Sequence, residues 1–149
     1  MVAKYGRIVG IAALVAAILW VVGLGFWNFS VSSAISAVES AVKAAPGGEQ
    51  EIVVAEVLED FTECGDRALP RLVETLDPGR EVPYLAALTR FFGQRVKRII
   101  PAFEIDDVRI VPSDPRAEVE RKIGEVRSLW TRLEPRYRWW MWWTPDGLE

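Results

Sequence analysis

The side chains able to do chemistry in this chain are few and fall in two places. Glu104, Asp106 and Asp107 gather three carboxylates into one short stretch, a set that performs general acid–base work or holds a hard cation through oxygen ligands. Arg136-Tyr137-Arg138-Trp139-Trp140-Met141-Trp142-Trp143 places four of the seven tryptophans in five positions beside two arginines. Indole rings settle at lipid headgroups and at the centres of protein interfaces, while guanidinium groups pair with phosphate or stack on the rings. Much other chemistry is excluded. The 149 residues include no histidine and a single cysteine, Cys64, which removes Ser-His-Asp and Cys-His triads, Cys/His zinc sites and any intrachain disulfide. No phosphate loop or positioned nucleophile accompanies the carboxylates, and three acids on a charged surface ordinarily form a solvated turn. We expect no catalytic residue, no cofactor and no metal.

The elements that must position these residues begin with an apolar run. Ile8 to Trp27 carries no charged residue, and as a helix it spans about 30 Å, the hydrocarbon thickness of a bilayer. Lys4 and Arg7 precede it and no base follows until Lys43, so the positive-inside bias places residues 1–7 in the cytoplasm and the remainder on the non-cytoplasmic side. Phe26, Trp27 and Phe29 stand where an aromatic belt meets the outer headgroups. The competing reading is a cleaved secretory signal with Ala34-Ile35-Ser36 as the small-x-small site, although the run exceeds the usual apolar length of such signals. Gly6, Gly10, Ala13 and Ala17 form two small-xxx-small pairs on one side of the span, where a second membrane helix could approach.

Residues 28–45 contain neither proline nor glycine, so the membrane helix is expected to continue outward as a stalk. Val31, Ile35, Val38, Val42 and Ala45 step by four and three, the spacing of a coiled-coil seam. That seam packs on the chain's own domain or on a second copy, which leaves a homo-oligomer through the stalk open. Pro46-Gly47-Gly48 then forms a hinge.

Residues 49–135 read as a small helical domain, with helices expected over 49–62, 66–76, 83–93 and 114–133. Ile52-Val53-Val54 keeps a strand open in the first. The stretch from Glu49 to Asp66 has seven acids and no base, which suits a solvated face. Asp66 is expected to cap the second helix, Gly93 to end the third, and Asp114 with Pro115 to start the fourth. The fourth shows Val119, Ile123, Val126, Trp130 and Leu133 on one face, fit for the stalk seam or for another chain. Between them, Arg90 to Arg98 is basic and amphipathic, suited to anionic lipid or, as the plainer account, to pairing with the acidic 49–66 segment of the same chain, and 103–111 reads as a short extended segment.

Gly65-Asp66-Arg67-Ala68-Leu69-Pro70-Arg71-Leu72-Val73-Glu74-Thr75-Leu76, a turn, and then Val82, Leu85, Ala86-Ala87-Leu88 and Gly93 resemble one HEAT-type helical hairpin. HEAT repeats are scaffolding units that bind other proteins, so the resemblance implies an interaction role. Pro83 stands where that family usually has an arginine, and no second copy of the hairpin follows.

The fold class expected is therefore mainly α: one transmembrane helix (8–27), a helical stalk (28–45), a hinge (46–48), a small domain with a HEAT-like hairpin (49–135), and an Arg/Trp-rich tail (136–149). Beyond the span, 16 bases meet 21 acids, which gives no basic surplus for nucleic acid. The function expected is that of a non-catalytic single-pass accessory, scaffolding or assembly subunit, with other membrane-complex subunits and the bilayer as partners. Contact with a partner or the membrane surface falls to Arg136, Arg138, Trp139, Trp140, Trp142 and Trp143. The alternatives are a membrane-anchored carboxylate enzyme or cation-binding module, and an inner-membrane component of a secretion or division machine.

Overall fold

The computed structural model describes the backbone of residues 2–44, 61–138 and 148, with side chains from residue 9 onward in those ranges. Helix α1 (Val2–Ala44) runs unbroken through the apolar run and the stretch expected as a stalk, about 65 Å at the usual rise. Its two halves have different surroundings. Ile11, Leu14, Val15, Ile18, Leu19 and Val22 are exposed in a region long and apolar enough to cross a membrane. Farther along, Val31, Ile35, Val38 and Val42 are buried, and Trp27 and Ala34 pack beside them. The four-three seam is thus covered by this chain's own domain.

The domain begins, among the described residues, with a helical turn at 61–64 that passes into a 3-10 turn, Gly65–Ala68. Gly65 adopts φ 62°, a left-handed conformation that a side chain would oppose. This kink splits the helix expected over 66–76, and regular α-helix resumes as α2 (Leu69–Thr75), with Pro70 near its start where no amide partner is needed. Helix α3 (Val82–Ile99) follows, then a 3-10 turn Ile105–Asp107, helix α4 (Arg116–Leu133) and a 3-10 turn Glu134–Arg136. No strand occurs among the described residues; one isolated antiparallel bridge joins Tyr137 to Leu148. The expected hinge, the segment 49–60 with its strand alternative, and residues 139–147 lie outside the described residues.

Three sequence expectations are corrected. Gly93 lies inside α3 and does not end it: a Cβ there would stand 2.8 Å from Ile105 Cγ2, so the glycine serves close packing of the 104–111 loop. The basic stretch Arg90–Arg98 is accordingly the last half of α3. Residues 103–111 form no strand but a loop that contains the 3-10 turn Ile105–Asp107, held on α3 by Thr89, whose Oγ1 accepts from Ile110 N at 3.1 Å and donates to Leu85 O at 2.8 Å. Asp114 does not cap α4. Its Oδ2 accepts instead from Val111 N at 2.9 Å and from Lys122 Nζ at 2.8 Å, while the Glu118 and Val119 amides donate to Pro115 O.

The core lies between α1, α2, α3 and α4. Leu69, Leu72, Leu76, Leu85, Leu88, Phe91 and Phe92 are fully enclosed, with Phe61 edge-on to Phe91 at 5.1 Å. The apolar face of α4, Val119, Ile123, Val126, Trp130 and Leu133, is buried as expected. It turns to α2, where Arg127 Nη2 donates to Leu76 O at 2.6 Å, while α1 takes α2 and α3 as its main neighbours.

Two ties fix how α3 lies on α1. Arg80 Nη1, just before α3, donates to Glu39 Oε1 at 2.8 Å. At the other end Arg95 Nε donates to Asp66 Oδ1 at 2.6 Å, and the neighbouring Arg67 guanidinium stacks 3.7 Å over the Trp27 ring. Helix α3 therefore runs antiparallel to α1 and ends at the side of the domain nearest the exposed apolar half.

Candidate functional site

That end of the domain, beside Trp27, gathers most of the unusual residues. Asp66 is expected to act as a cap, but the turn after Gly65 carries its carboxylate inward, where it is buried against a buried Arg95. Burying two charges is costly unless each is paired and hydrogen-bonded, and the short 2.6 Å contact supplies that pairing. Leu148 N approaches Asp66 Oδ2 at 3.4 Å, and the Leu148 side chain is buried in the core. Asp66 thus fastens the far end of the tail.

The near end of the tail is fastened one residue away. Tyr137 donates its hydroxyl to Arg67 O at 3.3 Å and sets its ring edge-on to Trp130 at 5.5 Å. Burial pushes the Tyr137 phenol up to about 12; Arg67 opposes this and the negative Asp66 adds to it. Arg67 stacks on Trp27, an indole from the C-terminal end of the apolar run, and the Trp27 Nε1 donor is buried without a hydrogen-bond partner among the described residues. Arg136 and Arg138 are exposed at this same end. Trp139, Trp140, Trp142 and Trp143, the core of the expected contact surface, lie outside the described residues.

The other expected sites are dispersed. Glu104, Asp106 and Asp107 are all exposed. Glu104 and Asp106 share a shallow, open groove with Arg90, Gln94, Lys97 and Arg109, where the bases offset the acids. No group of three metal-ligating side chains occurs among the described residues. Gly10, Ala13 and Ala17 form an exposed stripe on α1, with open space where a Gly10 Cβ would stand. Gly6 continues it on the backbone, and its side of the helix is outside the described surface.

A second buried charge cluster lies at the start of α4. Lys122 is buried and its ammonium donates to Asp114 Oδ2 and, at 2.7 Å, to Arg109 O. Burial alone would raise the Asp114 carboxyl, but the bonds from Lys122 and the Val111 amide outweigh it and hold the group below its ordinary range. This pair and the Asp66–Arg95 pair are absent from the sequence expectations. Both link residues from different elements, and no local spacing marks them.

No protein-family model matches the chain, and no curated protein or solved structure is found to be similar to it. The chain is a mainly helical protein with one long apolar N-terminal helix, and the HEAT-type resemblance of residues 65–93 gains no support from a solved structure.

Proposed function

We propose that the protein is a non-catalytic single-pass membrane protein that serves as an accessory, scaffolding or assembly subunit of a membrane-associated complex. The observation that carries this reading is the division of α1 into a bare apolar half and a half built into the domain core. A helix with an uncovered apolar surface on every side requires lipid or other helices around it. The division also favours a retained anchor over a cleaved signal. Cutting at Ala34-Ile35-Ser36 would remove Val31, which is buried in the core, and Trp27, which Arg67 covers. The basic flank of Lys4 and Arg7 supports a cytoplasmic N-terminus and a non-cytoplasmic domain. The α2–α3 pair, read as a HEAT-like hairpin, and the Arg/Trp tail are the surfaces offered to partner subunits, and the Gly6, Gly10, Ala13 and Ala17 stripe is the one offered to a membrane helix.

Purification in mild detergent, with identification of copurifying chains, tests this function: a subunit brings stoichiometric partners, whereas an enzyme is isolated alone. Replacing Trp140 and Trp143 with alanine should lower that copurification more than it lowers domain stability. A reporter fused after Glu149 that is active only in the cytoplasm would overturn the orientation.

A further inference from the structure

We propose that the face of α1 carrying Trp20, Gly23, Leu24 and Trp27 is the docking site of the chain's own C-terminal segment, residues 139–147, which turns back from the domain onto the end of the apolar run. The first observation is a one-sided cover on α1. Trp20, Gly23, Leu24 and Trp27 are half-buried, whereas Leu19, Val21, Val22 and Phe26 among them are exposed. Steps of three, one and three put the half-buried four on a single helix face. Val31, Ile35 and Val38 continue that face and are buried in the domain. The domain core accounts for Trp27, which packs against it, but Trp20 and Leu24 are neither part of the core nor packed on it. Trp20 nonetheless engages a partner. Its cover comes from outside the core.

The second observation is where the segment starts and ends. Tyr137 and Leu148 pair in the antiparallel bridge. Tyr137 donates to Arg67 O, Leu148 N stands 3.4 Å from Asp66 Oδ2, and the Arg67 guanidinium lies 3.7 Å over the Trp27 ring. Both ends are thus pinned beside Trp27, and the chain between them must go out and come back. Each limb, about five residues, reaches about 17 Å, and Trp20 lies about 10 Å along α1 from Trp27. The stretch 45–60 is worse placed. It leaves α1 at Ala44, about 36 Å from Trp20, and must return to Phe61 in the core, so only an almost extended path brings it there. The segment also suits an apolar seat: Trp139, Trp140, Met141, Trp142 and Trp143 carry no charge, and the first acid is Asp146. Aromatic side chains each bury about 150–250 Å², and an uncharged helix face beside both pins takes that area from water without any match of charge. The partner surface of the tail is then the side turned away from α1.

The full chain, in mild detergent and in phosphatidylcholine nanodiscs, carries the photocrosslinker benzoylphenylalanine in place of Leu24 or, as the control on the opposite face, of Val22. Trypsin then cuts after Arg138 and releases residues 139–149 as one peptide. The expected result is that this peptide is joined to α1 of the same chain from position 24 and not from position 22. Crosslinks from position 24 to residues 45–60, to a second chain, or to detergent and lipid alone overturn the proposal. Footprinting of the unsubstituted chain with a membrane-soluble diazirine decides should a crosslinker variant fail to fold. Trp20 and Leu24 should be labelled several-fold less than Val22 and Phe26, and the double variant Trp140→Asp, Trp143→Asp should remove that difference while Val38 stays protected. Equal labelling of the two faces in the parent chain, or protection unchanged in the double variant, overturns the proposal. The docking does not depend on the anchor reading: a chain that crosslinks as expected in detergent and does not enter nanodiscs overturns the anchor alone.

Discussion

Arg95 and Asp66 meet as a buried ion pair across 29 residues of chain, Nε to Oδ1 at 2.6 Å, at the point where both ends of the tail are fastened. Removing one partner takes from the other the charge that balances it in its buried place, at a cost of about 3–5 kcal/mol. Asp66→Leu should therefore lower the unfolding free energy of the domain by that order. The double variant Asp66→Leu, Arg95→Met should recover much of it. Denaturant titration of the four chains of a double-mutant cycle checks both outcomes, and additive losses would show that the two charges are not coupled.

Gly93 gives a prediction of opposite character, because alanine is ordinarily the better helix residue by about 1 kcal/mol. Here the new methyl would collide with Ile105 Cγ2, and overpacking of this kind costs about 1–3 kcal/mol. Gly93→Ala should destabilise the domain, while Gly93→Ala in an Ile105→Ala background should be more stable than Ile105→Ala alone. Melting curves of the four proteins test the reversal of sign.

Leu72 is fully enclosed in the middle of α2. Truncation to alanine leaves a cavity between elements that cannot easily close, and the expected loss is about 2–5 kcal/mol. An unchanged melting temperature would contradict the packing described.

Asp114 should make the domain acid-sensitive. Its carboxyl is held below its ordinary value of 3.8 in the folded chain, so the folded state keeps the charge under conditions where the unfolded chain takes up a proton. The stabilisation is whole above the unfolded value and is lost as pH falls through the folded one. Asp114→Asn should be less stable than the parent at neutral pH, with the gap narrowing below about pH 4. A constant gap across that range would assign the loss to shape and not to charge.

How far the fold could be read in advance follows from the range of the forces involved. Leu72, Leu76, Leu88, Ile123 and Trp130 are buried as their helical spacing implies, because periodicity reports which side of a helix meets the core. The continuous α1 follows from the absence of proline before Pro46, and its seam from four-three spacing in the same way. Periodicity does not say what covers a face, so the choice between the chain's own domain and a second copy for Val31, Ile35, Val38 and Val42 needed the three-dimensional arrangement. Gly93 looked like a stop because glycine often ends helices, but contact with Ile105 decided its role. Asp66 and Asp114 looked like caps because both precede helices. In each case a distant cation, Arg95 or Lys122, supplied a stronger partner than the nearby amides.

The unbroken α1 makes the protein a lever. No proline interrupts it between the apolar run and Ala44, and the domain grips its outer half from Trp27 to Val42. The apolar run and the domain are therefore joined through one continuous helix and not through a flexible linker. A bilayer that thins or thickens changes the tilt of its helices to keep apolar length matched. A change of about 10° would swing the Ala44 end sideways by about 4 Å, on an outer arm of about 25 Å. If α1 crosses a bilayer as proposed, the angle at which the domain meets a neighbour is set by the thickness of that bilayer.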